Sequence, residues 1–269
     1  MLNNDYHIVK LMRKPKKKIG RSFFINNEEL ILLKRQKEYF SKVSKKINFN
    51  NINQTILPSS RRSLTKILYY NDIYKNILGK PGVIMEFGVE YGSTLSLLSK
   101  LRSIYEPYNY SRKIIGFDTF SGFNSKLNKD EKKLGWKKGD YKVEKNYEKY
   151  LEEFLMLDEL MAPLPHIKKF ELVKGDAGKT INNYLKKNNQ TLIALVILDM
   201  DVYDPTKKVL QKIKNRLFKG SVLVFDELNH PDFPGETKAV LEILGIRKFK
   251  LKSFHGETFG SYVILEDFK

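Results

Sequence analysis

Four strand-like hydrophobic runs in this chain carry acids at or just past their ends: VIMEFGVEYG at 83–92, IIGFDTF at 114–120, LVILDMD at 195–201 and VLVFDEL at 222–228. Helical patterns separate them, and that alternation predicts a parallel sheet covered by helices on both faces. In an open parallel sheet the C-terminal strand ends face one crevice. Glu86, Asp118, Asp199, Asp201, Asp226 and Glu227 are therefore expected to converge although they are far apart in sequence. The first two suit a ribose-bearing cofactor, and the last four a divalent cation.

The periodicity sets out the order of elements. A helix is expected at 63–78, with Leu64, Ile67, Leu68, Ile73, Ile77 and Leu78 on its packing face and Gly79 to Gly82 as its stop. Strands follow at 83–87, 113–118, 170–174, 192–198 and 221–225, alternating with helices at 93–104, 147–161, 179–187, 205–217 and 236–244. The ending differs: 248–254 and 261–267 read as two strands joined by HGETFG, an antiparallel hairpin rather than a crossover. Residues 121–146 are polar, contain Gly122, Gly135 and Gly139, and read as a long loop over the cleft, a lid. Residues 1–60 read as a basic N-terminal arm or lid with one helix at 27–46, and 61–269 as the catalytic domain.

Composition narrows the chemistry. At 269 residues and 41% hydrophobic, the chain buries a full core as one domain. Zero cysteines exclude disulfides, thiolate chemistry and Cys-type zinc sites, and His7, His166, His230 and His255 are too few for a His-rich metal centre. No apolar run approaches the ~20 residues that span a bilayer, and no apolar segment behind the basic N-terminus reads as a secretion signal. The expected location is cytoplasmic. A net charge of +18 attracts phosphates, but Lys and Arg are spread over 13–21, 129–140 and most predicted helices, so much of that charge is a solvated surface. The chain has no RNP motif, zinc finger or recognisable helix-turn-helix, and nucleic acid is not the expected partner.

Glu86-Phe-Gly88-Val-Glu90-Tyr-Gly92-Ser93 follows a strand and opens a helix, as a glycine-rich nucleotide loop must. Glu90 stands where a dinucleotide enzyme needs a close-approach glycine, and its carboxylate repels a pyrophosphate. S-adenosylmethionine (SAM) has no phosphate, so the loop favours SAM over NAD; the plainer alternative is a tight turn with glycine used for packing. Asp118 is placed to accept hydrogen bonds from ribose hydroxyls, or else to cap the turn at 119–122. Asp176 borders the adenine or caps a helix. Tyr91, Phe117 and Phe120 face the ligand or pack in the core.

The acids after the last two parallel strands are costly to leave facing one another, because like charges repel more strongly when partly buried. A hard cation held by oxygen ligands, Mg²⁺ first, with Mn²⁺ or Ca²⁺ as alternatives, resolves that conflict; neutralising lysines are the other reading. A cation makes sense for an alcohol acceptor, whose hydroxyl is otherwise a poor nucleophile. Asp199, Asp226 and Glu227 are the candidate ligands, with Asp199 or Asp201 as the catalytic base. His230 and His255 are nearby loop histidines.

The segments PGVIMEFGVEYGSTL, LRSIYEPYNYSRKIIGFDTFSGF, LDMDVYDPTKKVL and FDELNHPDFPGETKAV together resemble the macrocin O-methyltransferase (TylF-type) family of SAM- and Mg²⁺-dependent sugar methyltransferases, over about 61–268. The resemblance implies an α/β, Rossmann-like class I SAM methyltransferase: a seven-stranded, mostly parallel sheet with a C-terminal antiparallel hairpin. It implies SAM at Glu86, Gly88, Gly92, Ser93 and Asp118, with Asp176 added from its position, and metal at Asp199, Asp226 and Glu227. Two positions depart from the pattern: Met200 stands where a small residue is usual and Glu227 where Asp is frequent. The acceptor it implies is a sugar hydroxyl, here of a nucleotide-activated hexose or heptose for a surface polysaccharide, or of a glycoside. Arg61, Arg62 and the lysines of 132–138 are candidate diphosphate contacts, and a homodimer or homotetramer is expected. The alternatives are a nucleic-acid (RNA or cap) methyltransferase on the same fold, which steep salt dependence would mark, and a non-catalytic polyanion-binding module, which would not bind SAM.

Overall fold

The apolar runs form the sheet they predict. In the computed structural model β1 (Val83–Phe87), β2 (Ile114–Asp118), β3 (Phe170–Lys174), β4 (Ile193–Leu198) and β5 (Val222–Phe225) are parallel, and β7 (Ser261–Ile264) runs antiparallel beside β5, with β6 (Lys252–Ser253) at the edge. The seven strands lie in the order β3-β2-β1-β4-β5-β7-β6. The order reverses between β1 and β4, which puts the crevice of an open sheet there. The structure describes residues 59–123, 127–254 and 260–266, with scattered positions between 31 and 48. The basic run at 13–21, His7 and His255 lie outside the described residues.

The chain divides into two compact units, 1–61 and 62–269. In the first, the described positions between 31 and 44 are helical. In the second, the sheet has a separate core on each face. Val196, Leu198, Leu223 and Phe225 pack with Ile181 of α5 (Ala177–Lys187), Val209 of α6 (Tyr203–Ile213) and Ala239 of α7 (Pro234–Ile243). Leu195, Ile197, Val222 and Val224 point the other way, to Ile73 of α1 (Arg61–Lys75), Leu98 of α2 (Ser93–Tyr105) and Leu151 of α4 (Tyr147–Leu160). The period-2 alternation of strand side chains decides which residue enters which core. Every residue of β4 is buried, as a central strand covered on both faces must be.

Three expectations need correction. The packing face of α1 is Tyr69, Tyr70, Ile73 and Tyr74 with Ile77 just beyond it, while Leu64, Ile67 and Leu68 are exposed. Aromatic side chains one or two positions round the helix bury more area than the leucines and win the sheet face. Residues 248–254 are not one strand: a short 3₁₀ turn covers Ile246–Lys248 and only Lys252–Ser253 pairs. A two-residue edge strand that itself begins with a lysine offers little ladder for a second sheet to extend. The loop at 121–146 contains a helix, α3 (Lys129–Lys133), because Asn128 and Glu131 form a reciprocal capping box. Among the described residues no helix is long and apolar enough to cross a membrane.

Candidate active site

Backbone hydrogen bonds carry the sheet one residue past its strands. Gly88 N–H donates to Phe117 O, Asp199 N–H to Phe87 O, Asp226 N–H to Leu198 O and Gly175 N–H to Asp118 O, at 2.8 to 3.2 Å. Gly88, Asp199 and Asp226 therefore stand level at the C-terminal rim, next to the reversal of strand order. Gly88 has φ +94°, and a Cβ on it would lie 1.7 Å from the Asp199 carbonyl oxygen. Only glycine lets the turn after β1 rest on the end of β4. The turn is then tied to β2, because Val89 and Glu90 N–H donate to Asp118 Oδ2 at 2.7 and 2.9 Å. Phe120 N–H donates to Asp118 Oδ1 at 2.5 Å. Asp118 thus holds the glycine turn and its own loop together; a carboxylate has about four acceptor positions, so capacity for a ribose hydroxyl remains.

A cleft of about 340 Å³ opens at this rim, lined among others by Gly88, Glu90, Phe117, Asp118, Asp176 and Asp199. Asp201, Asp226 and Glu227 line it as well. Asp176 precedes α5 and makes no side-chain cap bond; its backbone carbonyl accepts from Lys179 and Thr180 N–H. Gly92 and Ser93 stand elsewhere, in a groove with Tyr91, Tyr147, Tyr150 and Phe154, where Gly92 leaves room for Leu151. Glu86 is buried behind the cleft wall, 1% exposed, with Oε2 lacking any partner among the described residues.

The acids share one electrostatic field. Burial pushes Glu86 up to about 8, a rise that Lys66 opposes and Asp118 and Asp226 reinforce. Asp199 is held well above the usual carboxylate range by burial and then by the charges of Asp226 and Asp201. Asp201, which has φ +61°, is raised to about 7 by burial and then by Asp226 and Glu90. Asp226 is raised by burial while Lys66 and His230 hold it down. Tyr70 of α1 feels Asp226, Asp199 and Glu86 after its own burial, which puts its hydroxyl beside the same cluster. Asp199, Asp201 and Asp226 are half-buried and open onto the cleft. Among the described residues no three His, Asp or Glu side chains converge on one point as ligands of a metal ion. The donor set is all oxygen and short of cations, which fits a hard divalent ion in chemistry, with side-chain rotation needed to close around it.

The comparisons with known proteins settle what such a cleft belongs to. No family model and no curated protein matches the chain. Among solved structures, a crystal structure of CalS11, calicheamicin methyltransferase, is 34% identical, covers 95% of this chain and 99% of its own, and superposes with a TM-score of 0.85. The chain belongs to the TylF-type family of SAM-dependent sugar O-methyltransferases. The apo structure of CalS11, described as a TDP-rhamnose 3'-O-methyltransferase in calicheamicin biosynthesis, gives 33% identity over 93% of this chain and 100% of its own, with TM-score 0.79. The O-methyltransferase NovP, at 13% identity over 76% and 80% of the two chains and TM-score 0.57, shares the fold. Membership favours a SAM-dependent methyltransferase over the non-catalytic reading.

In this TylF-type enzyme the segment expected to be a lid is pinned to the loops that carry the acids. Glu131, 1% exposed, accepts from Asn128 N–H at 2.6 Å through Oε2 and from Tyr203 N–H at 2.7 Å through Oε1. Tyr203 opens α6 two residues after Asp201. Trp136 stacks on Phe233 at 4.7 Å between ring centroids, and its Nε1–H donates to Asp232 O at 2.9 Å. Phe123, Trp136, Val202 and Phe233 make a separate small core under the lid. His230 lies in the same loop; its Nδ1 accepts from Asp232 N–H at 3.0 Å and its Nε2 is 3.8 Å from Glu227 Oε2. We expect Glu131→Ala to lower kcat/KM about tenfold, while the lost cap and acceptor cost only about 1–2 kcal/mol of stability. Steady-state rates alongside limited proteolysis of 121–146 check this: unchanged rates with an unchanged cleavage pattern would separate the lid from catalysis.

Sequence reasoning missed Lys66, Tyr70, Glu131 and Glu236. Asn128-x-x-Glu131 is a capping-box spacing and was readable. Glu236, fully buried and accepting from Glu227 N–H at 3.1 Å, stands in the first turn of α7, where acids are favoured. Lys66 and Tyr70 carried no local signal. Arg61 and Arg62 and the lysines at 132, 133, 137 and 138 are exposed and are not among the cleft-lining residues.

Proposed function

We propose that this enzyme methylates one hydroxyl of a nucleotide-activated hexose or heptose destined for a surface polysaccharide or related glycan, assisted by a divalent cation, Mg²⁺ or Mn²⁺. The observation that carries the metal is the set of Asp199, Asp201 and Asp226 around a cleft with a single lining lysine among its described residues, where burial and the charge of Asp226 raise the pKa of both Asp199 and Asp201. The nucleotide handle is supported by similarity to an enzyme described as acting on TDP-rhamnose and by the +18 charge.

Gly88 keeps the turn low enough for the donor to lie across the rim, and Asp118 accepts from the ribose hydroxyls. Asp176 and Phe117 border the adenosine, with Glu86, Gly92 and Ser93 supporting the loop from behind. Asp199, Asp226 and Glu227 would hold the cation, which would supply a lowered pKa to the acceptor hydroxyl. Asp199, or Asp201 in its place, takes the hydroxyl proton as the oxygen–carbon bond forms and the carbon–sulfur bond breaks, leaving the electron pair on sulfur. The lid excludes water while this happens.

Incubating the protein with SAM and a panel of nucleotide-sugars, with and without EDTA, tests the whole reading. Mass spectrometry is expected to show one added methyl group, lost on chelation and restored by Mg²⁺ or Mn²⁺. Full turnover in EDTA would remove the cation, and methylation of free glycosides alone would remove the nucleotide.

A further inference from the structure

The cleft has a charge problem of its own. Asp118, Asp199, Asp201, Asp226 and Glu227 line it, and Lys66 is the only basic side chain among its described lining residues. Lys66 projects from α1 one turn before Tyr70, its Nζ 5.8 Å from the Tyr70 ring centroid. It donates one hydrogen bond, to Ser93 Oγ at 3.2 Å, at the first residue of α2. Among the described residues it forms no ion pair with a carboxylate. An ammonium has three N–H donors, so two are left to aim at a ligand.

SAM carries two cationic groups, the sulfonium and the amino group, and one anionic group, the methionine carboxylate. Acidic walls suit the first two and repel the third. The carboxylate needs a cation that is fixed in place, and among the described lining residues the half-buried ammonium of Lys66 is the one on offer. The positive end of α2, to which Lys66 is tethered through Ser93, adds to the same field. On the reading that SAM occupies this cleft, we propose that Lys66 binds the methionine carboxylate of SAM and of the S-adenosylhomocysteine product. A lysine on the helix before β1 thereby becomes part of the cofactor site and anchors the reactive sulfur against the acid cluster.

The test compares two ligands in the full-length protein. S-adenosylhomocysteine carries the carboxylate; 5'-methylthioadenosine keeps the adenosine and the thioether but lacks the amino acid. In Lys66→Met the affinity for S-adenosylhomocysteine is expected to fall about 10- to 100-fold, the range for a charge-assisted hydrogen bond, with 5'-methylthioadenosine bound as in wild type. Lys66→Arg is expected to keep S-adenosylhomocysteine within a few-fold of wild type. Equal losses for both ligands would make Lys66 a structural support and overturn the proposal. So would unchanged binding of both, or a raised KM for the nucleotide-sugar with S-adenosylhomocysteine unaffected, which would assign the lysine to a diphosphate. If wild type binds neither adenosine ligand, the SAM reading of the cleft fails before the role of Lys66 is reached.

Discussion

Asp199→Asn lowers turnover by about 10²- to 10⁴-fold, the range for loss of a general base, and by more if a cation ligand goes with it. Binding of S-adenosylhomocysteine stays within a few-fold, because the donor contacts proposed for Gly88 and Asp118 are left in place. The same substitution leaves the unfolding temperature of the EDTA-treated protein at pH 8 unchanged or raises it. The reason lies in the sign of the linkage. A carboxyl whose pKa is higher folded than unfolded makes folding take up protons, so stability is greatest at low pH and falls as pH rises toward the folded value. Asp199 is held well above the usual range, and Asp201 beside it is raised to about 7. Above that pH the metal-free protein keeps like charges together at a cost, which an amide removes and a bound cation offsets. Stability given up for function is the usual signature of a site. Rates within threefold of wild type, or a melting temperature several degrees lower, would take Asp199 out of this role.

Arg112→Met is the largest expected loss of stability. Arg112 is 1% exposed, and its guanidinium donates to the carbonyls of Gly82, Ile77 and Lys80 at 2.5, 3.0 and 2.6 Å. It also pairs with Glu106 at 2.9 Å, which in turn accepts from Tyr74 O–H at 2.7 Å. The chain between α1 and β1 is thus closed by one side chain from the residue two places before β2. Removing it takes a donor from each of three carbonyls, one buried and two part-buried, and leaves a carboxylate with fewer donors. The expected cost is on the order of 3–5 kcal/mol, or about 10 °C in melting temperature for a domain of this size. Arg112→Lys does not rescue it, because one ammonium cannot span the fork that reaches all four partners. Thermal and urea unfolding check both variants, and a loss below about 1 kcal/mol would show that these carbonyls find water instead.

The two predictions differ in how far they were visible beforehand. The acids of the first stand at the ends of apolar runs, and strand ends in a parallel sheet share a rim, so their meeting follows from sequence order and handedness. Nothing around Arg112 in SRKII marks it as buried, and the same holds for Arg102 and Lys169, which meet at Glu159. Charged residues read as surface until a distant carbonyl or carboxylate is known to wait for them. The face of α1 was misread for a related cause. Leu64, Ile67 and Leu68 fit the helical period, but the tyrosines fit the space above the sheet.

By itself the sequence determined the seven strands, their mostly parallel arrangement, the glycine at position 88 and the acids at the crevice, because each rests on a local period or on the end of a run. The tertiary structure alone decided that Lys66 and Tyr70 face those acids, that Glu131 ties the lid to Tyr203, and that Asp118 serves the glycine turn as well as the cleft. Those contacts join residues tens of positions apart. Their partners are chosen by which helix covers which face of the sheet, and that is set by the shape of the whole core, on which no short stretch of chain carries a signal.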